Sequence, residues 1–219
     1  MKINIAIDGP SAAGKSTIAK LLAKKLGYAH LDTGAMYRCI GYHADRIHVS
    51  LDDEDALAAM TAAMQIRFDS EGRVFLNGED VSSAIRENRV SMLASRISVY
   101  PRVRQLLVDM QRQMAAEKGI IMDGRDIGTV VLPDAELKIF MVASVEARAR
   151  RRYQEYVDKH IEADYQRICE DIQKRDDQDM HRAASPLRKA ADAHEIDTSD
   201  MSIPEVCDAI MKLAEKTIV

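Results

Sequence analysis

Cysteine is scarce in this chain and unpaired in pattern. Cys39, Cys169 and Cys207 lie far apart, and none falls in a CxxC pair. That argues against a disulfide framework and a thiolate metal cage, and for reduced, small side chains in the core. The six histidines show no HxxH or HExxH spacing, which leaves no metal site made of protein side chains. No stretch approaches the ~18 consecutive apolar residues of a membrane span. A glycine turn beginning at Gly9 leaves no room for a secretory h-region at the N-terminus. Excess charge is missing too. Thirty-one Lys and Arg stand against 35 Asp and Glu, a net charge of −4, so the bulk attraction a nucleic-acid or anionic-membrane binder relies on is absent. A local basic pocket for a small anion is still allowed. The expectation is a cytoplasmic protein with no nucleic acid and no membrane among its partners.

The 219 residues are 47% hydrophobic and 30% charged, ordinary for a soluble globular protein. At roughly 150 residues per domain, one domain with a sizeable insert or two small domains are both allowed. Repeats and low-complexity segments are absent. Residues 2–8 read as a strand running into a glycine-containing loop, and Ile18, Ala19, Leu22, Ala23 and Leu26 mark a helix over 15–27. Further strands are expected at 28–31, 119–122, 137–143 and 195–197. Helices are expected at 35–46, 52–64, 101–117, 144–159, 162–182 and 202–217. This alternation predicts an α/β fold with a parallel sheet covered on both faces. One segment breaks the pattern. Short strand-like runs at 65–69 and 73–76 flank Ser70-Glu71-Gly72, and Asn77-Gly78 is a hairpin turn signal. This small antiparallel patch is expected within an insert of about residues 45–95.

The most specific chemistry is at the start. Gly9, Pro10, Ser11, Ala12, Ala13, Gly14, Lys15 and Ser16, followed by Thr17, match GxxxxGK[ST] after a strand and at the opening of a helix. Backbone N–H groups there can curl around phosphate oxygens, and the helix N-terminus adds partial positive charge. Lys15 supplies a full charge to the β- and γ-phosphates, and the Ser16 hydroxyl suits Mg²⁺. The chain is expected to bind a nucleoside triphosphate. The guanine-reading NKxD motif of a nucleotide switch is absent.

The arginines bear on the choice between motor, switch and kinase. On a helix, Arg175, Asp179 and Arg182 fall within ~60° of one another, so Asp179 can anchor two guanidinium groups. A rigid arginine pair suits the charge of a transferring phosphoryl group, and an exposed salt-bridge ladder is the bland alternative. Arg148, Arg150, Arg151 and Arg152 form a second cluster. Such runs are usually solvated helix faces, yet two clusters around a break near His160 also suit a lid over a phosphate site. Asp123-Gly124-Arg125-Asp126 and Asp32-Thr33-Gly34 with Tyr37-Arg38 each follow a strand, at the end where parallel sheets present ligands.

Six segments, GPSAAGKST, LDTGAMYR, ASRISVYPRVR, DGRDIGTVVLPDA, RDDQDMHR and ADAHEIDTSDMSI, together resemble bacterial-type cytidylate kinase from the first strand to the last helix. The resemblance implies a P-loop nucleoside monophosphate kinase. It would be one domain over 1–219, with a five-stranded parallel core sheet flanked by helices. A monophosphate-binding insert at about 45–95 would carry the small antiparallel sheet, and a lid would span about 151–170. The implied reaction, in pyrimidine nucleotide metabolism, is transfer of the γ-phosphoryl group of ATP to CMP or dCMP with Mg²⁺, by a protein expected to act as a monomer. Residues 9–17 would hold the ATP phosphates. Arg38 and Arg125 would grip the acceptor phosphate, while Ser95, Arg104 and Asp126 would read the cytosine edge with Thr33 nearby. Arg175 and Asp179 would face the acceptor sugar and phosphoryl region and Arg182 the phosphates, with Arg151 and Arg152 at the lid hinge. Ala12-Ala13 replaces a glycine-containing pair common in this loop. Neither position is a motif glycine, so phosphate binding is expected to survive. The chemistry suits cytosine, since a carboxylate accepts from its exocyclic amine whereas uracil offers a carbonyl oxygen there.

Overall fold

A computed structural model describes residues 1–69 and 71–218; Ser70, in the expected turn at 70–72, lies outside the described residues. The chain divides into two compact units, residues 1–28 with 118–219, and residues 29–117. In chain order the strands are β1 (Asn4–Asp8), β2 (Ala29–Asp32), β3 (Ile66–Phe68), β4 (Val74–Leu76), β5 (Glu79–Asp80), β6 (Ile120–Gly124), β7 (Leu137–Val142) and β8 (His194–Asp197). The helices are α1 (Lys15–Leu26), α2 (Thr33–Arg46), α3 (Glu54–Ala63), α4 (Asn88–Ile97), α5 (Pro101–Ala115), α6 (Val145–Asp158), α7 (Tyr165–His181) and α8 (Ile203–Ile218).

The central sheet has five strands in the order β2-β6-β1-β7-β8. The strand β1 runs parallel to β6 and β7, and β7 parallel to β8. Every residue of β1 is buried, as expected of a strand covered on both faces. One face packs on α1 and α8 through Ile5, Ile7, Leu22, Ile139, Val206 and Ile210. The register places Ile7 opposite Asp123 and Asp8 opposite Gly124, so the loops after β1 and β6 leave the sheet side by side. That is the ligand end of a parallel sheet. A one-turn π-helix, Ile127–Val131, follows β6 and has no counterpart in the sequence expectation. The pair α6 and α7 packs through Ala149, Ile168 and Ile172, and His160 lies in the break, in left-handed conformation.

The second unit holds the antiparallel sheet β3-β4-β5. Its hairpin turns on Asn77 and Gly78, with φ of 50° and 88°, the pair this tight turn demands. The helix α4 is a departure from expectation. Its buried face is only Val90, Ala94 and Ile97, a stripe too narrow to stand out among charged and polar neighbours. Two helix bounds also correct the sequence reading. The helix α2 begins at Thr33, not Ala35, because Asp32 caps it, its Oδ1 accepting from the Ala35 N–H at 3.0 Å. The helix α7 ends at His181, which leaves Arg182 extended and outside it.

Candidate active site

In the loop between β1 and α1, Gly9 is required sterically. A Cβ there would sit 2.1 Å from the Met141 carbonyl oxygen, and its φ is +151°. No side chain caps α1, so its leading N–H groups are open to an anion. The Lys15 ammonium donates to the Pro10 carbonyl at 2.7 Å, folded back over the loop. Burial, with the Arg125 charge adding to it, pushes Lys15 down to about 7. The Ser16 hydroxyl donates to Asp123 Oδ2 at 2.6 Å. Asp123 stands in the quoted DGRD segment but was not among the expected site residues. Its register opposite Ile7 explains why it reaches the loop.

The helical triad expected at Arg175, Asp179 and Arg182 is built differently. Asp179 Oδ2 accepts from Arg125 Nε at 2.7 Å, and Arg182 Nη1 lies 3.8 Å from Asp179 Oδ1. Being past the helix end, Arg182 swings back, donating to the Ser185 carbonyl through Nε at 2.8 Å and Nη2 at 2.5 Å. Nη2 also stands 3.8 Å from Asp126 Oδ1. Burial alone would raise Asp179, but the charges of Arg125, Arg175 and Arg182 and the Arg125 bond outweigh it and hold it below the usual carboxylate range. The bland reading as an exposed ladder does not survive, because Asp179 is buried. One cluster gathers Arg125, Asp126, Arg175, Asp179 and Arg182.

The second arginine cluster is mixed. Arg150 is exposed, and Arg152 only approaches Glu155 at 3.7 Å, as solvated faces do. Arg148 is buried. Its Nη1 and Nη2 donate to Asp176 Oδ1 and Oδ2 at 2.9 and 2.5 Å, Nη1 also reaches the Ser11 carbonyl at 3.1 Å, and Nε the Ala143 carbonyl at 2.9 Å. The phosphate loop, α6 and α7 are thereby fastened at one guanidinium. Arg151 donates to the Thr198 carbonyl and, at 3.2 Å, to Thr198 Oγ1. Of the cysteines, Cys39 and Cys207 are buried and Cys169 is only partly so, a departure from three core thiols.

In the second unit, Arg38 Nη2 donates to Asp32 Oδ2 at 2.7 Å. Burial pushes Asp32 up, but the Arg38 charge and the hydrogen bonds from Arg38 and the Ala35 N–H hold it below the usual carboxylate range. Thr33 is buried in the first turn of α2. Arg104 is buried in α5, donates through Nη1 to the Ser98 carbonyl at 2.9 Å, and lies 5.5 Å from the centre of the Tyr37 ring. Ser95, on α4, is half-buried, and its carbonyl accepts from the Ser98 hydroxyl at 2.8 Å.

Among the described residues no group of three or more His, Cys, Asp or Glu is placed to hold a metal. A hydroxyl and a carboxylate 2.6 Å apart at the end of the sheet are hard oxygen donors, which fits Mg²⁺. That ion takes one or two protein oxygens and completes its shell with water and phosphate rather than demanding a protein cage.

The model of the family described as "Cytidylate kinase" matches residues 5–216. The "Cytidylate kinase" of Streptococcus mutans is 51% identical over 223 residues, covering 100% of this chain and 98% of that protein. The "Cytidylate kinase" of Caldicellulosiruptor bescii is 49% identical over 220 residues, with 99% and 97% covered. Among solved structures, shikimate kinase from Bacteroides thetaiotaomicron aligns with a TM-score of 0.51 and 12% identity over 98% of this chain and 99% of that one, a likeness of fold alone.

Proposed function

The chain belongs to the cytidylate kinase family, and we propose from that premise that it moves the γ-phosphoryl group of ATP onto CMP or dCMP, giving CDP or dCDP and ADP, as a monomer in the cytoplasm. The observation that carries the reading is identity of about half over the full length, on a fold whose phosphate loop is complete. Membership of the family makes it a nucleoside monophosphate kinase.

In the reaction, an oxygen of the acceptor phosphate attacks the γ-phosphorus, and the bond from that phosphorus to the bridging oxygen breaks to release ADP. The attacking oxygen is already ionised, so no general base is needed. The protein's work is positioning and charge neutralisation. Gly9 to Thr17 wrap the ATP phosphates, and Lys15, which turns back on Pro10 in this structure, swings its ammonium to the β- and γ-oxygens. Ser16 and Asp123 would hold Mg²⁺, which when bound supplies positive charge to the same oxygens. Arg125, with Arg175 and Arg182, neutralises the acceptor and transferring phosphates, and Asp179 fixes the direction of the Arg125 guanidinium through its 2.7 Å bond. Arg38 takes the acceptor phosphate, held by Asp32. Asp126, Ser95 and Arg104 read the cytosine edge, with Thr33 nearby. The insert at about 45–95 belongs to acceptor binding, and residues 151–170 close over the phosphates and exclude water.

ADP release with Mg-ATP and each of CMP, dCMP, UMP, AMP, GMP and shikimate tests this. Turnover with CMP and dCMP well above the others is expected. Preferred turnover of a purine nucleotide or of shikimate would overturn it.

A further inference from the structure

Asp8 ends β1 one residue before the phosphate loop, is buried, and has no part in the mechanism above. Its two oxygens are both spent on backbone far away in sequence. Oδ1 accepts from the Ile127 N–H at 2.8 Å and Oδ2 from the Gly128 N–H at 2.7 Å. These two N–H groups open the π-turn Ile127–Val131, where a helical turn has no partners of its own for its leading donors. The same turn closes on Asp126, whose carbonyl accepts from the Val130 and Val131 N–H groups at 2.9 and 3.1 Å. Asp8 therefore caps, from another strand, the turn whose first anchor is Asp126 and whose preceding residue is Arg125. Gly128 is approached closely by the side chains of both Lys138 and Asp8. A Cβ there would lie 3.2 Å from Lys138 Cδ and 3.4 Å from Asp8 Oδ2. Burial pushes Asp8 up to about 6, against the pull of the two N–H groups, so at pH 8 it is ionised and both oxygens accept.

We propose that Asp8 is a positioning residue for the acceptor site: by capping the Ile127–Gly128 backbone it holds Arg125 and Asp126 in the orientation that binds the pyrimidine monophosphate. This rests on the roles proposed above for Arg125 and Asp126. Both Asp8 oxygens are turned to backbone N–H groups, so it acts on the acceptor through the turn they hold. The Asp8 charge also stands near Lys15, but its direct bonds are to the turn, so its effect is expected chiefly on the acceptor, whereas a merely structural carboxylate would lower the melting temperature and leave both Michaelis constants alone.

The test is Asp8→Asn, nearly the same size but with an amide N–H₂ against one of the two backbone donors. At pH 8, KM for CMP is expected to rise about fivefold to tenfold, KM for ATP to stay within about twofold, and the CMP to UMP preference to fall. Equal changes in both constants, or a lower melting temperature with no change in either, would overturn the proposal. Asp126→Asn, measured alongside, reports separately on base reading. If it leaves the CMP to UMP preference intact, that role of Asp126 is wrong, while the split between the two KM values in Asp8→Asn still decides the present claim through Arg125. Should Asp8→Asn fail to fold, Asp8→Glu keeps the charge while its extra methylene shifts the carboxylate relative to the Ile127 and Gly128 N–H groups. It is then expected to raise KM for CMP about twofold to threefold with KM for ATP unchanged, and absence of that split overturns the proposal.

Discussion

The two units use arginine–carboxylate pairs in opposite ways. In the unit made of residues 1–28 and 118–219, the side chains of Arg148 and Asp176 are 4% and 12% exposed, and those of Arg125 and Asp179 are 19% and 8%. In residues 29–117, Arg96–Asp52 and Arg102–Asp55 join side chains more than half exposed, and Arg46–Glu79 and Arg89–Asp45 are of the same open kind. An exposed pair gives up little hydration and is worth ~1 kcal/mol or less. A buried pair has surrendered its hydration and holds one geometry, because any departure leaves a charge unpaired. Burial, not the number of bridges, separates the pairs that hold one geometry from those that do not. Arg38–Asp32 in the second unit, with side chains 22% and 24% exposed, is intermediate, as suits a pair assigned to the acceptor phosphate.

The largest effect expected is at Lys15, a buried cation that donates to a carbonyl and not to a carboxylate. Lys15→Ala should leave the fold intact and lower kcat by ~10³-fold, since charge aimed at the developing phosphoryl charge is lost. Arg102→Ala should leave kcat unchanged. Near-normal turnover by folded Lys15→Ala would remove the loop from the mechanism.

Stability should divide the same way. Arg148→Ala leaves the Asp176 carboxylate buried without its guanidinium, for a loss of ~3–5 kcal/mol. Arg96→Ala should cost less than ~1 kcal/mol. Urea unfolding of the two variants beside the parent checks both values, and equal losses would end the distinction between the units.

Asp179→Asn asks whether the other buried pair serves catalysis. The amide keeps the size but removes the charge that orients Arg125, so kcat/KM for CMP should fall about tenfold or more. The melting temperature should fall less than in Arg148→Ala, because Arg125 keeps some contact with water. Steady-state kinetics with CMP and dCMP in turn show whether the sugar is sensed as well. Unchanged kinetics with both would make the pair structural only.

How much of this could be read from the sequence follows the range of the interactions. The phosphate loop, β1, α1 and the Asn77-Gly78 hairpin were legible because their signals lie within a few residues of one another. So was the parallel sheet, from its alternation of apolar strands and helices. Asp123 at Ser16, Asp179 at Arg125 and Asp8 at Ile127 were not, being contacts between residues 107, 54 and 119 positions apart that only the tertiary fold creates. Arg148 is hard to read from sequence for a related reason. Three further arginines within four positions made it look like part of a solvated face, and only the fold shows that it points inward at Asp176. The geometry of the triad turns on a single boundary, the stop of α7 at His181, past which Arg182 swings back toward Ser185 while staying 3.8 Å from Asp179.

The smallest effect carries the contrast from side chains to backbone. Ala12 in the phosphate loop and Asn77 in the hairpin share the left-handed conformation, with φ of 59° and 50°. Asparagine tolerates that region, whereas an alanine Cβ crowds the following carbonyl and costs roughly 1–2 kcal/mol. Replacing Ala12 by glycine relieves the crowding but gives the unfolded chain back ~0.4–1 kcal/mol of conformational freedom. The net gain expected for Ala12→Gly is therefore ~0.5–1 kcal/mol, about 1–4 °C in melting temperature for a chain of this size. Asn77→Gly should change the melting temperature by less, since there is little strain to release. If Ala12→Gly melts at or below the parent temperature, the loop holds Ala12 without penalty, and the strain assigned to the phosphate loop is absent.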